Sequence, residues 1–267
     1  MWQEERHRRI RDQLTAFGQI SVDRITEEFG VSRETVRRDL MDLEQAGALR
    51  RVRGGAVPVR REDTTFGIRV TLRLQEKRAI ATRALGLLQS GMTIFMDAGS
   101  TSTVMAETLA EPHGLTDLNI ITNSMDVARL LAERPDQPGR RFRVLMLAGE
   151  VKHDPMETHG GATINDIQRY RADVALLAPW GIDAQMGAMN YFIHGAEIAR
   201  AMVRNADRTI VLADHSKIAA PARSVFCPVA DIDHLIVDEA ATARPGFAEL
   251  AAVLPGLIVA HGTAGRD

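Results

Sequence analysis

Lysine is nearly missing from this chain. Of 33 basic residues only Lys77, Lys152 and Lys217 are lysines, the rest being arginine. Each lysine is therefore a candidate position for a compact ammonium where a planar guanidinium fork would not serve. Cysteine is scarcer still. Cys227 stands alone, which excludes an internal disulfide framework and fits a reducing, cytoplasmic setting. Beside Pro228 it reads as a small core residue rather than a nucleophile. No apolar run approaches the length that spans a bilayer, and the charged start MWQEERHRR is unlike a signal peptide, so no membrane partner is expected. Metal-ligand spacing is also missing. His153, Asp154 and His159 are close in sequence and His194 and His215 lie elsewhere, but none pairs at helical spacing. No metal and no cofactor is expected.

What is present suits a soluble globular protein of 267 residues with 45% apolar and 25% charged side chains, long enough for a small domain and a larger one. The net charge of −2 is unevenly spread. Residues 1–61 carry 13 basic and 10 acidic side chains, and the remainder carries 20 and 25. A basic front and an acidic body point to a polyanion meeting the front only, although so small an excess decides little without position.

Position is supplied by residues 31–55, VSRETVRRDLMDLEQAGALRRVRGG. Upstream, Ile10 and Leu14 share a face of a first helix over residues 4–15, broken at Gly18. Ser21 is placed to cap a second helix, Val22–Phe29, closed by Gly30. A three-residue link then leads to a third helix, capped by Ser32, with Thr35, Val36, Leu40 and Leu43 on its inner edge. Two helices joined so closely through a glycine make a helix-turn-helix. The third helix turns Arg33, Arg37 and Arg38 outward at the end where recognition helices reach base edges. Gly47 ends it, residues 48–52 read as a strand with Arg50 and Arg51, and Arg53-Gly54-Gly55 makes the tip of a wing. The competing reading is a helical bundle whose arginine face is merely solvated. Clustering on one face and recurrence in the wing argue against it.

These residues resemble the winged helix-turn-helix of the DeoR family of bacterial transcriptional regulators, matching from the helix-2 turn through the wing. The family's usual His in the wing is Arg53 here, which keeps a phosphate-seeking side chain. The resemblance implies that Ser32, Arg33, Thr35, Arg37, Arg38, Arg50, Arg51 and Arg53 contact double-stranded operator DNA. The domains expected are a winged helix-turn-helix over 1–57, a linker over 58–76 and a larger α/β domain over 77–267.

Beyond the linker, strand-like runs alternate with helical ones at residues 93–96, 118–122, 144–148, 174–178, 209–213 and 234–237. This pattern predicts an α/β domain with a mostly parallel sheet, whose ligands gather at the carboxyl ends of the strands. Those ends are distinctive. Asp97-Ala98-Gly99-Ser100-Thr101-Ser102-Thr103 precedes a helix over 104–109, an anion site in kind although a Ser/Thr cluster can also be a plain cap. Thr122-Asn123-Ser124 opens another helix, Gly149-Glu150 follows the third run, Trp180-Gly181 and Asp183 follow the fourth, and Asp214-His215-Ser216-Lys217 follow the fifth.

The larger domain resembles the DeoR effector domain, which shares a fold with ribose-5-phosphate isomerase-like enzymes. By that resemblance residues 99–103 hold a phosphate, and Asp183 and Lys217 meet the hydroxyls or carbonyl of a sugar. Two departures stand out. Family members usually have Gly-Gly at Gly149-Glu150 and Gly at Ala178, here followed by Pro179-Trp180. Glu150 then either points away from a phosphate or binds hydroxyls or a cationic group. Trp180 either stacks on a sugar or fills the pocket, and His194 is a further candidate lining residue. The implied function is a repressor of a carbohydrate catabolic operon, a homodimer or homotetramer relieved by a small phosphorylated sugar or polyol. The rival is a sugar-phosphate isomerase with a helical appendage, using Lys217, Asp183 and Glu150 as acid and base. A purely architectural DNA binder is a third reading, which leaves the strand ends unexplained.

Overall fold

The computed structural model describes residues 2–17, 19–46, 48–57, 64–132 and 142–262. The expected breaks at Gly18 and Gly47 and the first part of the expected linker, 58–63, lie outside the described residues. The chain divides into two compact units, Met1–Arg69 and Val70–Asp267.

The first unit runs α1 (Gln3–Phe17), β1 (Ile20–Ser21), α2 (Val22–Phe29), α3 (Arg33–Gln45), β2 (Arg50–Val52) and β3 (Gly55–Val57). Serine caps start both helices of the motif. Ser21 Oγ accepts from the Arg24 amide at 3.2 Å and Ser32 Oγ from the Thr35 amide at 3.1 Å, occupying donors that the first turn leaves open. Gly30 ends α2 in the left-handed region and donates its N–H to Thr26 O. Ile10, Leu14, Ile25, Val36, Leu40 and Leu43 bury one stripe of each helix against Leu49 and Ala56. The strands form a three-stranded antiparallel sheet in the order β1-β3-β2, with Arg51 opposite Ala56 and Ile20 on its other side. Gly55 has a steric reason: a Cβ there would run into the Ile20 carbonyl oxygen. This is a winged helix.

The second unit opens after α4 (Phe66–Thr71), within which the division falls, with α5 (Leu74–Leu85). There follow β4 (Thr93–Met96), α6 (Ser100–Ala110), β5 (Asn119–Thr122), α7 (Met125–Ala132), β6 (Arg143–Met146), β7 (Glu150–Lys152), β8 (Glu157–His159), α8 (Gly161–Ile167) and β9 (Ala172–Leu177). The chain then continues through β10 (Gly181–Asp183), β11 (Gly187–Asn190), α9 (Ile193–Arg204), β12 (Ala206–Ala213), β13 (Ser224–Cys227), β14 (His234–Asp238), α10 (Phe247–Val253) and β15 (Leu257–Ala260). Seven strands make one sheet in the order β15-β14-β12-β9-β4-β5-β6, and every pairing in it is parallel. Both faces are covered. Ile94, Met96, Val174, Leu176, Ile210 and Leu212 pack with residues of α5, α6 and α7, while Phe95, Ala175, Leu177 and Val211 pack with residues of α8 and α9. Strands buried on both sides read as continuous apolar runs rather than alternating ones.

The sheet contains all six strands expected from the sequence, with ends shifted by up to three residues. It also contains β15, which the sequence reading did not include. Two small sheets were not anticipated either: the β7–β8 hairpin and the antiparallel β10-β11-β13 set. The helix expected to begin at Val104 begins at Ser100, because Gly99 in an extended conformation is its N-cap and the hydroxyl residues form its first turn.

Candidate functional site

On the winged helix, Ser32, Arg33, Glu34, Arg37 and Arg38 are exposed along the start and outer face of α3. Thr35 is half-buried, its hydroxyl 2.8 Å from Ser32 Oγ. Arg33 pairs with Asp23 of α2 at 2.6 Å, both side chains largely in solvent. On the wing, Arg50, Arg51 and Arg53 are exposed, and Arg51 is tied to α3: its Nε lies 2.6 Å from Glu44 Oε2 and its amide 2.8 Å from Oε1. Arg51 thus fixes the wing to the helix as well as adding charge. What holds α3 itself has no signature in the sequence. Asp39 is buried and accepts from Arg6 Nε at 2.6 Å and Nη2 at 2.8 Å, with His7 Nε2 at 3.2 Å. Arg6 and His7 reach Asp39 from more than thirty positions away, and nothing local marks the meeting.

In the second unit the sheet order explains the site. From β4 the chain steps outward to β5 and β6, then returns to β9 on β4's other side and steps outward again. The crevice between the ends of β4 and β9 is the topological switch point, where ligands bind in open parallel sheets. The five strand ends singled out in the sequence belong to five adjacent strands: β12, β9, β4, β5 and β6.

At the switch point Asp97 is buried and joins the two halves. Its Oδ2 accepts the Ala178 amide at 3.1 Å, and Oδ1 accepts the Ser102 hydroxyl. Thr101, Ser102 and Thr103 are buried, and Ser100 is half-buried at the first turn of α6, which has no side-chain cap. The amide dipoles of that turn remain aimed out of the helix. Beside it Thr122, Asn123 and Ser124 are buried. The Thr122 hydroxyl donates to Met96 O of β4 at 2.7 Å, Ser124 Oγ accepts from the Val127 amide at 3.2 Å, and Asn123 is the member of the trio whose side chain reaches the β7–β8 hairpin. Its Nδ2 lies 3.3 Å from Glu157 Oε2 and 3.1 Å from Thr158 O.

Beyond β9, Trp180 is buried against Tyr191 and Phe192, with ring centroids 5.6 and 5.7 Å apart. The ammonium of buried Lys217 lies 5.6 Å over the Trp180 ring. Lys217 sits in a tight turn capped by Asp214, which is fully buried. Burial works against the ionised Asp214, but the Lys217, Arg73 and Lys77 charges and the Ser216 hydroxyl outweigh it and hold its pKa at about 2. Other expected residues are placed differently. Gly149 and Glu150 are exposed. Asp183 forms the β10–β11 turn, its Oδ1 accepting the Gln185 and Met186 amides at 2.9 and 2.7 Å. Gly181 is packed against the Ala220 carbonyl. Among the described residues no group of three or more His, Cys, Asp or Glu side chains is placed to hold a metal ion, and no helix is long and apolar enough to cross a membrane.

Burial raises the Asp97 pKa to about 6 against the hydrogen bonds from Ser102, Ala178 and Gly99, with the Glu157 charge adding to the rise. A carboxyl with a raised folded-state pKa keeps a proton that the unfolded chain has released. Its contribution to stability is therefore greatest below the ordinary value of 3.8 and is lost as pH rises through about 6. That loss is on the order of 3 kcal/mol. Urea midpoints from pH 4.5 to 7.5 should show the decline in the wild-type chain and a flatter curve in Asp97→Asn. Parallel curves would refute the assignment.

A winged helix followed by a parallel α/β domain with a polar switch-point crevice defines a DNA-binding regulator class with a separate sensing domain. Comparison with known proteins fits both halves. Residues 6–62 match the DeoR-like helix-turn-helix domain, and residues 72–239 match the DeoR C terminal sensor domain. The chain belongs to the DeoR family. Similar proteins include the transcriptional repressor AccR of Agrobacterium fabrum, 32% identical over 82% of this chain and 83% of that protein. The HTH-type transcriptional repressor GlcR of Bacillus subtilis is 30% identical over 89% of each. The glycerol-3-phosphate regulon repressor of Escherichia coli is 29% identical over 89% and 92%. None of these names is that of an enzyme. Among solved structures, a D-ribose-5-phosphate isomerase in complex with phospho-erythronic acid covers 54% of this chain and 53% of its own at a TM-score of 0.40 and 18% identity, too distant to carry an argument about function.

Proposed function

We propose that the chain is a repressor whose operator binding is relieved by a small phosphorylated sugar or polyol, serving a carbohydrate catabolic operon. In this reading residues 1–57 bind DNA, 58–76 connect, and 77–267 sense the effector. A dimer or tetramer presents two recognition helices to half-sites about 34–36 Å apart if they lie one turn apart. Arg37 and Arg38 read bases; Ser32, Arg33, Thr35, Arg50 and Arg53 position the motif on phosphates and base edges, and Arg51 both meets the backbone and anchors the wing. The first turn of α6, from Ser100 to Thr103, takes the phosphate. The observation that carries the reading is the coincidence of that hydroxyl-rich turn, which has no side-chain cap, with the switch point of a parallel sheet, in a chain whose other unit is a winged helix. The repressor names of the relatives support it.

The isomerase alternative gains no support from Asp183, whose Oδ1 is engaged by the two amides of the β10–β11 turn. Two variants test the proposal by opposite losses. Arg37→Ala should weaken the operator by about 1–3 kcal/mol, as expected for a lost bidentate base contact, and leave sugar-phosphate binding intact. Lys217→Ala should keep the operator and lose release by the effector. A Lys217→Ala chain still fully released by effector removes Lys217 from the pocket. Turnover of a sugar phosphate by the wild-type chain restores the enzyme reading.

A further inference from the structure

One cluster in the sensing unit has no part in the phosphate site described above. Lys152 and Glu157 face each other across the β7–β8 hairpin, and His194 lies in the first turn of α9. Lys152 Nζ is 3.2 Å from His194 Nε2 and 3.5 Å from Glu157 Oε1. An ammonium has only hydrogens to give, so His194 Nε2 is the acceptor and the imidazole is neutral. Burial, and then the charges of Lys152 and His159, hold the His194 pKa below its ordinary value. Phe192 stacks on His194 with centroids 5.6 Å apart, and the Lys152 ammonium lies 4.7 Å over the same ring. The hairpin's polar groups are thus held in place from the α9 side.

From the other side they meet the end of β5. Glu157 Oε2 takes Asn123 Nδ2, and Asn123, only 1% exposed, is left with an Oδ1 that has no hydrogen-bond partner. Leaving a buried amide oxygen without a donor is unfavourable, and a ligand hydroxyl supplies one. β5 lies next to β4, whose end carries Asp97 and the residue 99–103 turn, and the Glu157 charge reaches Asp97. The cluster therefore borders the proposed phosphate turn. Its chemistry is two acceptors, Asn123 Oδ1 and the Glu157 carboxylate, beside one strong donor, Lys152. A hydroxyl group both donates and accepts, and so fits such a set. A carboxylate fits poorly, since it brings no hydrogen for Asn123 and stands against Glu157 and the ionised form of Asp97.

We infer that Asn123, Glu157 and Lys152 form a hydroxyl-reading wall that selects phosphorylated polyols or sugars with a neutral, hydroxylated far end and rejects the corresponding sugar-acid phosphates. The inference rests on residues 99–103 taking the phosphate, and the test separates the two. Calorimetric titration of the full chain would use inorganic phosphate and two matched pairs: glucitol 6-phosphate with 6-phosphogluconate, and erythritol 4-phosphate with 4-phosphoerythronate. Each pair differs only in an alcohol or a carboxylate at the end remote from phosphate. The alcohol should bind at least about tenfold tighter in the pair whose length fits. Glu157→Gln, which keeps the shape and removes the charge, should narrow that ratio about tenfold and leave inorganic phosphate unchanged. Lys152→Met, which leaves Glu157 without its nearby ammonium, should widen the ratio, so the prediction stands on two variants with opposite signs. Phosphate binding with no preference for the alcohols, or a ratio that neither variant moves, overturns the wall and spares the phosphate turn. Failure of inorganic phosphate and all four esters to bind overturns both.

Discussion

Asp39→Ala is expected to cost the DNA-binding unit about 3–5 kcal/mol, the range for removing one partner of a buried ion pair. Asp39 is 2% exposed and the Arg6 side chain 12% exposed, so neither charge is well hydrated when parted from the other. The guanidinium meets both carboxylate oxygens, the fork geometry in which a carboxylate holds an arginine most firmly. Because Arg6 lies on α1 and Asp39 on α3, the pair clamps the first helix to the recognition helix. Amide exchange in the full chain reads this directly. Protection of α1 and α3 should fall by roughly two to four orders of magnitude, while the seven-stranded sheet keeps its protection. Operator binding should fall with it, although Asp39 faces inward. Arg6→Met combined with Asp39→Leu should recover part of the stability, because an apolar pair leaves no charge stranded. Unchanged protection in Asp39→Ala would reduce the clamp to a surface contact.

Gly99→Ala should produce the second large effect, a chain that holds its operator and no longer answers to phosphate. Gly99 has φ −87° and ψ 151°, which any residue adopts, so the obstacle is space and not backbone conformation. A Cβ at Gly99 would stand 2.5 Å from the Ala178 Cβ and 3.2 Å from both Asp97 Oδ1 and Ser102 Oγ. To make room, the β4–α6 connection must move off β9, against the 3.1 Å hydrogen bond from the Ala178 amide to Asp97. Overpacking of this kind costs about 1–3 kcal/mol, a factor of roughly 5–150 if it falls on the bound state. Inorganic phosphate affinity should drop by that factor, and operator affinity without ligand should stay within twofold or so of wild type. A Gly99→Ala chain that binds phosphate as well as wild type would show that the anion sits elsewhere.

How far the sequence foretold this depends on whether the signal is local. Ser21, Ser32 and Gly30 act on neighbours within four residues, and all three cap where the sequence placed them. The six longer strand runs were readable because strands covered on both faces are continuously apolar. Their ends converge because parallel strands all point one way, which is why five separate polar clusters anticipated one edge. The short strands were harder. β7, β8 and β10 have three residues each, too few to show a period, and their partners settle them. The Asp39 clamp, and the contacts of His194 and Asn123 with the Lys152–Glu157 hairpin pair, cross tens of residues. Lysine scarcity was the one early pointer. Lys77 and Lys217 both depress the pKa of buried Asp214, and Lys152 stands 3.5 Å from buried Glu157. All three lysines attend an inward carboxylate, and the outward cations named here are arginines. At Asp183 the motif alone does not reveal that the carboxylate also builds the β10–β11 turn.

Because every strand of the main sheet runs in the same direction, framework and recognition are carried by separable parts of the chain. The strands and the helices covering them need only bury their apolar sides, and the segments leaving the carboxyl edge carry the chemistry. The hairpin over residues 150–159 is one such segment, a single stretch of ten residues entered from the end of β6. Exchanging it should therefore redirect the sensor to a different small molecule with the sheet untouched. Retargeting this protein is accordingly a problem of grafting short loops onto a fixed socket rather than of redesigning a fold.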